Sequence, residues 1–337
     1  MAHLFLIPAA LRYIRRTPDD DVARIVSTHK FIAGMSQEDG KVTVSIRQLH
    51  PHFVGEVEGI DLRQPLATAD VDAINEGMDR YAVLIFHDQN ITDEQQLAFT
   101  RNFGEIERAV GNSITASQGR RLSTEMADLS NLAERDQIFQ RDDRRRLFDL
   151  ANRLWHSDSS FRVVPAKYSL LSARAVPAQG GNTEFADMRA AYDALDDRMR
   201  AEIADLVCEH SLMYSRGLLG FTEFTEEERQ TFAPVRQRLV RTHPVTGRKS
   251  LFLASHAGGI VDWPMSEARS YLRDLSEHAT QSEFVHVHQW RLHDLVIWDN
   301  RQTMHRVRRF DDVNEVRDMR RTTLIGDGPT AEQAQAD

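Results

Sequence analysis

From Lys41 onward, apolar and polar positions alternate. Val42, Val44 and Ile46 sit between polar neighbours, the period-two pattern of a strand with one buried face. Phe53-Val54-Gly55-Glu56-Val57 continues in the same manner towards Gly59-Ile60-Asp61-Leu62. The period then changes. Val71, Ile74 and Met78 share one helical face and predict a helix over Asp70–Tyr81. Val83-Leu84-Ile85-Phe86 is an unbroken apolar run of strand length, as expected of a strand covered on both faces. Thr92-Asp93-Glu94-Gln95 has capping-box spacing and opens a helix predicted to reach about Phe103, before Gly104. Farther along, the pattern predicts a strand at Tyr168–Leu171, a turn at Gly180-Gly181, and helices over Asp187–Leu195 and about Met199–Cys208. Short strands are predicted at Leu251–Leu253, Phe284–Val287, Leu295–Trp298 and Arg321–Ile325. Many short strands flanked by helices predict a mainly β core with helical additions (α+β), and a jelly roll is the natural architecture.

No internal repeat and no linker interrupts the chain after residue 41, so one domain is expected over residues 41–328, followed by a tail at 329–337. Residues 1–40 read as an N-terminal extension, with Met35 a candidate translation start. The apolar stretch His3–Leu11 is followed by Arg15 and Arg16, the wrong order for a secretory signal. No apolar run approaches the ~20 residues needed to cross a bilayer, so no membrane partner is expected. The net charge of −9 argues against nucleic-acid binding. The run Arg141-Asp142-Asp143-Arg144-Arg145-Arg146 interleaves acids with its bases and reads as a solvated face or lid. A single cysteine, Cys208, excludes an intramolecular disulfide and any Cys-rich metal site, and it fits a cytoplasmic protein. Any metal must be held by His, Asp or Glu.

His156-Ser157-Asp158, with Trp155 before it and Phe161 after, offers such a site. In an extended segment residues i and i+2 point the same way, so an imidazole and a carboxylate can close on one ion. A distant histidine would complete a 2-His-1-carboxylate face that leaves other coordination positions open. His305 is the preferred third ligand: it follows the strand and tight turn of Val296–Asn300, and Met304–Val307 reads as a returning strand. His286 and His288 compete as an H-x-H pair, but no carboxylate or anion-binding group lies at a useful spacing after them. Downstream of His305, Arg317 and Arg321 fall on one face of a strand, whereas Arg320 points to the other and reads as a surface ion-pair residue. Guanidiniums bind carboxylates through a planar fork of donors, so two beside a metal suggest two carboxylate-bearing small molecules.

Three segments together resemble the taurine dioxygenase/2,4-dichlorophenoxyacetate dioxygenase family. They are Trp155–Phe161, Gly180-Gly181-Asn182-Thr183, and Trp298-Asp299-Asn300-Arg301 with His305, Arg317 and Arg321. The resemblance covers about residues 42–327 and is closest to the phenoxyacetate branch, through Asn152–Phe161 and Asp187–Leu195. Asn182 departs from the aspartate usual at that position. The resemblance implies a double-stranded β-helix (jelly roll) core and an Fe(II)- and 2-oxoglutarate-dependent dioxygenase using O2. It implies that His156, Asp158 and His305 bind iron, and that Thr183 and Arg317 bind the distal carboxylate of 2-oxoglutarate. Arg321 would hold the substrate anion, with Asn152 and His256 as further pocket residues. His243, His210, Trp298 and Trp155 read as structural. The expected reaction is hydroxylation beside the ether oxygen of an aryloxyacetate such as 2,4-dichlorophenoxyacetate, giving a phenol and glyoxylate with succinate and CO2. An alkylsulfonate or an aryloxypropionate is the alternative substrate. A zinc hydrolase on the same His/Asp/His set and a non-catalytic jelly-roll binding protein are the rivals of another class. A homo-oligomer is expected.

Overall fold

The computed structural model describes residues 44–109 and 121–333. The expected N-terminal extension, Met35, Val42 and the last four residues of the tail lie outside the described residues. Two facing sheets form the core. The larger has seven strands in the order β1-β2-β3-β13-β5-β15-β4. These strands are β1 (Ser45–Gln48), β2 (Gly55–Glu58), β3 (Val83–Phe86), β4 (Ala127–Asp128), β5 (Tyr168–Ala175), β13 (Leu295–Asp299) and β15 (Asp318–Thr323). The smaller, in the order β12-β6-β14, comprises β6 (Thr183–Asp187), β12 (Val285–His288) and β14 (Thr303–Val307). A second three-stranded sheet joins β11 (Ala257–Ile260), β7 (Val207–His210) and β8 (Val235–Arg238), and β9 (Val240–Thr242) pairs with β10 (Lys249–Leu251). Among the described residues the α-helices are α1 (Thr68–Tyr81), α2 (Asp93–Arg101), α3 (Arg144–Asp149), α4 (Met188–Asp193), α5 (Asp197–Ile203), α6 (Leu212–Gly217), α7 (Glu226–Thr231) and α8 (Met265–Ala279).

The alternation of each strand decides what it covers. Ile85, Val83, Leu171, Val296, Trp298 and Met319 of the large sheet face Phe185 of β6, filling the space between the two sheets. Their neighbours Leu84, Phe86, Leu170, Leu295 and Ile297 point the other way, against Ile74 and Met78 of α1 and Phe99 of α2. A strand covered on both faces has no polar position, which is why Val83–Phe86 is an unbroken apolar run. Helix α1 is the crossover that lets β2 and β3 run parallel. The Thr92/Gln95 capping box opens α2: the Thr92 hydroxyl accepts from Gln95 N–H, and the Gln95 carboxamide accepts from Thr92 N–H at 2.8 Å.

Several boundaries differ from the sequence pattern. The helix expected over Met199–Cys208 ends at Ile203, and Val207–His210 forms β7, paired with β8 and β11. Cys208 and His210 are buried while Val207 and Glu209 are only partly so, a period-two burial that a short window does not separate from a helical one. The strand expected at Leu251–Leu253 is Lys249–Leu251, and the last strand is Asp318–Thr323 rather than Arg321–Ile325. Helix α8 was not anticipated. It buries Ala268, Leu272, Leu275 and Ala279 on one face.

The tight connection between β13 and β14 governs the site. The fully buried Asp299 carboxylate accepts from Arg301 N–H (2.8 Å), Arg301 Nε (2.9 Å) and Nη2 (2.8 Å), and Gln302 Nε2 (2.8 Å). The Thr303 hydroxyl donates to its backbone carbonyl at 2.8 Å, and His243 Nε2 lies 3.3 Å from the carboxylate. Burial alone would push the Asp299 carboxyl up, but Arg301 and His243 outweigh it and hold it far below the usual carboxylate range. Asp299→Ala would leave the buried Arg301 guanidinium with only the half-exposed Asp327 at its Nη1, and breaking a buried pair in this way costs about 3–5 kcal/mol. Urea unfolding of the variant is expected to show a loss of that size, and a loss below about 1 kcal/mol would refute the assigned role. Because the folded-state pKa is depressed, this stabilisation is complete above the unfolded carboxyl's pKa and is lost as pH falls towards the folded one.

Candidate metal centre and its two cavities

His156 follows the 3-10 turn Leu150–Arg153 and pairs through its backbone with His305 of β14. His156 N–H donates to the His305 carbonyl at 3.0 Å, and His305 N–H donates back at 2.8 Å. The two imidazoles are therefore opposed, with ring centroids 4.2 Å apart. Two residues on, Asp158 lies beside both rings, and the chain turns away after it, Ser159 taking φ +54°. His156 Nε2 is 3.8 Å from Asp158 Oδ1, and His305 Nε2 is 3.7 Å from Asp158 Oδ2. One donor atom from each residue fits within a 4.8 Å cluster, and all three side chains are buried. An extended i, i+2 segment was expected to align His156 with Asp158. The two do meet, with His156 held in an isolated bridge to His305 rather than in a longer strand.

A ring of hydrogen bonds orients the carboxylate. Asn300 Oδ1 accepts from Trp298 Nε1 and from Asp158 N–H, each at 3.0 Å. Its Nδ2 donates to Ser169 Oγ at 3.0 Å, and the Ser169 hydroxyl donates to Asp158 Oδ2 at 2.7 Å. Arg321 Nη1 donates to Asp158 Oδ1. Burial pushes the Asp158 carboxyl up, but Arg321, the two imidazoles and Ser169 outweigh it and hold it down to about 2. Burial lowers the pKa of both His156 and His305, so each imidazole is neutral at pH 7, the state that ligates metals. His156 Nδ1 lies 2.8 Å from the Leu154 carbonyl, so it carries the proton and leaves the Nε2 lone pair facing Asp158. Two neutral imidazoles and one carboxylate, buried and convergent, fit Fe(II).

His286 and His288 do not join this group. His288 Nε2 lies 3.1 Å from Asp294 Oδ2, whose other oxygen is 2.6 Å from His87 Nδ1, while His286 packs edge-on to Phe53. Arg320 points away and binds both oxygens of Asp93 at 2.7 Å. His210 lies 3.0 Å from Ser160 and stacks on Phe252, and Arg306 lies over Trp155. The bases near residue 144 meet acids, Arg144 with Glu228, Arg145 with Asp143 and Arg146 with Asp312, and Arg145 and Arg146 are largely covered rather than part of the solvated face expected of the run.

Two cavities meet at this centre. The smaller, of about 90 Å³, is lined by Thr183, Arg317, Leu171, Trp298, Val307 and His305. The larger, of about 160 Å³, contains Asp158, His256, Phe148, Phe161, Leu212 and Arg216 in its wall. His156, Asn152 and Arg321 line both. Burial lowers the pKa of Arg317 to about 10, leaving it charged at neutral pH. Its Nε donates to the Gly181 carbonyl at 3.3 Å. Gly181 has φ +67°, and a Cβ there would stand 3.4 Å from the Arg317 side chain and 2.9 Å from Pro177 Cγ, so glycine makes room for the guanidinium. Thr183 Oγ1 accepts from Trp290 Nε1 at 2.9 Å, which leaves its own hydrogen free to donate. Asn131 holds Arg317 from behind: its Oδ1 accepts Arg317 N–H at 2.8 Å. Sequence reasoning missed Trp290, Asn131, Asp149 and Arg216, since none lies at a telling spacing from a ligand. His256 Nδ1 lies 2.9 Å from Ser215 Oγ, and its ring meets Phe161 edge-on at 5.0 Å.

Ser169→Ala removes the donor to Asp158 Oδ2 and the acceptor of Asn300. Loss of such an outer hydrogen bond weakens metal binding about 10–100-fold. Calorimetric titration with Mn(II) is the check, and unchanged affinity would remove this ring from the account.

The profile described as "Taurine catabolism dioxygenase TauD, TfdA family" matches residues 45–323. The chain is 46% identical to "Alpha-ketoglutarate-dependent 2,4-dichlorophenoxyacetate dioxygenase" of Cupriavidus pinatubonensis over 288 residues, 85% of this chain and 99% of that protein. It is 37% identical over 260 residues to "(S)-phenoxypropionate/alpha-ketoglutarate-dioxygenase" of Delftia acidovorans, covering 76% of this chain and 86% of that one. Among solved structures, AAD-2 in complex with Mn(II) and N-oxalylglycine superposes with a TM-score of 0.84 at 63% identity, covering 86% of this chain and all of that one. With the jelly-roll core and the His/Asp/His centre, these matches show that the chain belongs to the TauD/TfdA family of dioxygenases.

Proposed function

We propose that this dioxygenase uses Fe(II), 2-oxoglutarate and O2 to hydroxylate the carbon beside the ether oxygen of an aryloxyacetate such as 2,4-dichlorophenoxyacetate. The hydroxylated product is a hemiacetal that collapses to a phenol and glyoxylate, while 2-oxoglutarate becomes succinate and CO2. The observation that carries this reading is the meeting of two cavities at one His/Asp/His centre with a guanidinium in each, room for two different carboxylates. The 46% identity to a 2,4-dichlorophenoxyacetate dioxygenase supports the substrate class.

His156, Asp158 and His305 hold the iron, which when bound couples decarboxylation of 2-oxoglutarate to activation of O2. Arg317 and the Thr183 hydroxyl grip the distal carboxylate of 2-oxoglutarate at the far end of the smaller cavity. Arg321, on the wall common to both cavities, draws the substrate anion towards the centre, so that the methylene between ether oxygen and carboxylate faces it. Phe148, Phe161 and Leu212 offer the aryl ring an apolar wall, and Asn152 and His256 border the reacting end. An aryloxypropionate is the second reading, favoured by the 37% identity to a phenoxypropionate dioxygenase. A zinc hydrolase would leave the Arg317/Thr183 cavity without a use. The catalytic domain over residues 41–328, a homo-oligomeric assembly and a cytoplasmic location complete the proposal.

Asp158→Ala should abolish turnover, and full activity in that variant would sink the metal assignment. Arg317→Ala should raise the half-saturating 2-oxoglutarate concentration by the equivalent of roughly 2–5 kcal/mol, as expected for loss of a desolvated charge pair. Thr183→Ala should cost about 1 kcal/mol. An unchanged 2-oxoglutarate requirement in Arg317→Ala would show that another cation holds the co-substrate. Arg321→Ala should weaken substrate binding and uncouple succinate release from phenol release, and Arg321→Lys should rescue poorly because an ammonium lacks the bidentate fork. The deciding assay measures phenol and succinate together across aryloxyacetates, aryloxypropionates and alkylsulfonates. Preference for a sulfonate would overturn the substrate assignment.

A further inference from the structure

Charge is unevenly matched around the larger cavity. Arg121 meets Asp128 and Asp318, Arg145 meets Asp143, and Glu107 meets Arg162 and Ser159. Arg321 is engaged by Asp158, which a bound metal would share. Arg216 stands apart. It lies on α6, is 5% exposed, and sits over the Phe148 ring with its guanidinium carbon 4.2 Å from the centroid. Its Nη1 donates to Ser215 Oγ at 3.0 Å, while its Nε has no hydrogen-bond partner among the described residues. A buried guanidinium with an idle donor is costly in a folded protein, so such a group points to a ligand. Burial lowers its pKa to about 10, which leaves it cationic. The opposite charge that acts most strongly on it is Asp149, which lines the same cavity and whose own carboxyl burial pushes up to about 7.

We infer that Arg216 is a second guanidinium anchor of the substrate cavity, and that the substrate carboxylate is held between Arg216 and Arg321. The inference rests on the aryloxyacetate reading and deepens it. Arg321 alone, already facing Asp158, presents little net charge to an incoming anion, and Arg216 brings a second guanidinium whose Nε donor is idle among the described residues. The Phe148 ring beneath it keeps water from one face of the guanidinium, which strengthens the contact. Ser215 fixes the side chain, its hydroxyl lying 2.8 Å from the Leu212 carbonyl.

The test compares a charged ligand with a neutral one of the same shape. The enzyme is loaded with Fe(II) and 2-oxoglutarate, and binding of an aryloxyacetate and of the matching aryloxyacetamide is followed anaerobically by calorimetry, with turnover measured separately in air. In Arg216→Gln the dissociation constant of the aryloxyacetate is expected to rise roughly 30-fold or more. The amide is expected to shift by no more than about twofold, and the 2-oxoglutarate requirement should not move. Arg216→Lys, which keeps the charge, should recover part of the aryloxyacetate affinity and none of a loss caused by misfolding. Equal weakening of acid and amide in Arg216→Gln, or wild-type binding of the acid, overturns the inference. If the wild-type enzyme itself binds no aryloxyacetate, the functional reading falls instead, and the two failures are thereby told apart.

Discussion

One buried negative charge organises this molecule. Asp158 is buried between two imidazoles, where an unmatched carboxylate is untenable. It persists because partners converge on it: Ser169 and Arg321 donate to its oxygens, and Asn300 Oδ1 accepts from its backbone N–H. Each partner belongs to a different strand or turn. Ser169 is in β5, Arg321 in β15, and Asn300 follows β13, so the carboxylate depends on the large sheet being in register. The same sheet order that buries Trp298 and Met319 therefore decides whether the charge is compensated.

The second constraint lies in the turn after β13. Asp299 gathers Arg301, Gln302 and Thr303 around itself and sends β14 back with His305 opposite His156. A buried ion pair contributes little net stability against an apolar replacement, and its usual benefit is a single geometry. Here the geometry is the site. The asymmetry between the imidazoles follows from it: His156 Nδ1 is tied to Leu154, whereas His305 Nδ1 has no hydrogen-bond partner among the described residues.

Much of this was legible where local pattern and tertiary role agree. Val83–Phe86 is apolar throughout because both faces are covered, and Thr92–Gln95 caps its own helix, so neither needs distant information. The three metal-site residues were readable from ligand chemistry and from resemblance, although the backbone bridge that pairs His156 with His305 was not. Arg317 and Arg321 share a face in spite of a register shift between Asp318 and Met319, an irregularity that alternation alone does not reveal. The pattern fails where burial is set by partners far along the chain. Val207–His210 looks helical until β8 and β11 are beside it, and Arg216 looks like any exposed helix arginine until Phe148 covers it.

The wall common to the two cavities has a consequence for how this scaffold can change. His156, Asn152, Asp149, Phe139, Ser130 and Arg321 each border both chambers. A substitution among them alters the fit of two molecules at once, so a gain with one is coupled to a penalty with the other. Met126, Leu212 and Phe161 border only the larger chamber. Adaptation to a bulkier or differently branched substrate can therefore proceed along that outer rim, one residue at a time, while the co-substrate side stays constant. The layout separates the evolvable part of the enzyme from the part that must not vary.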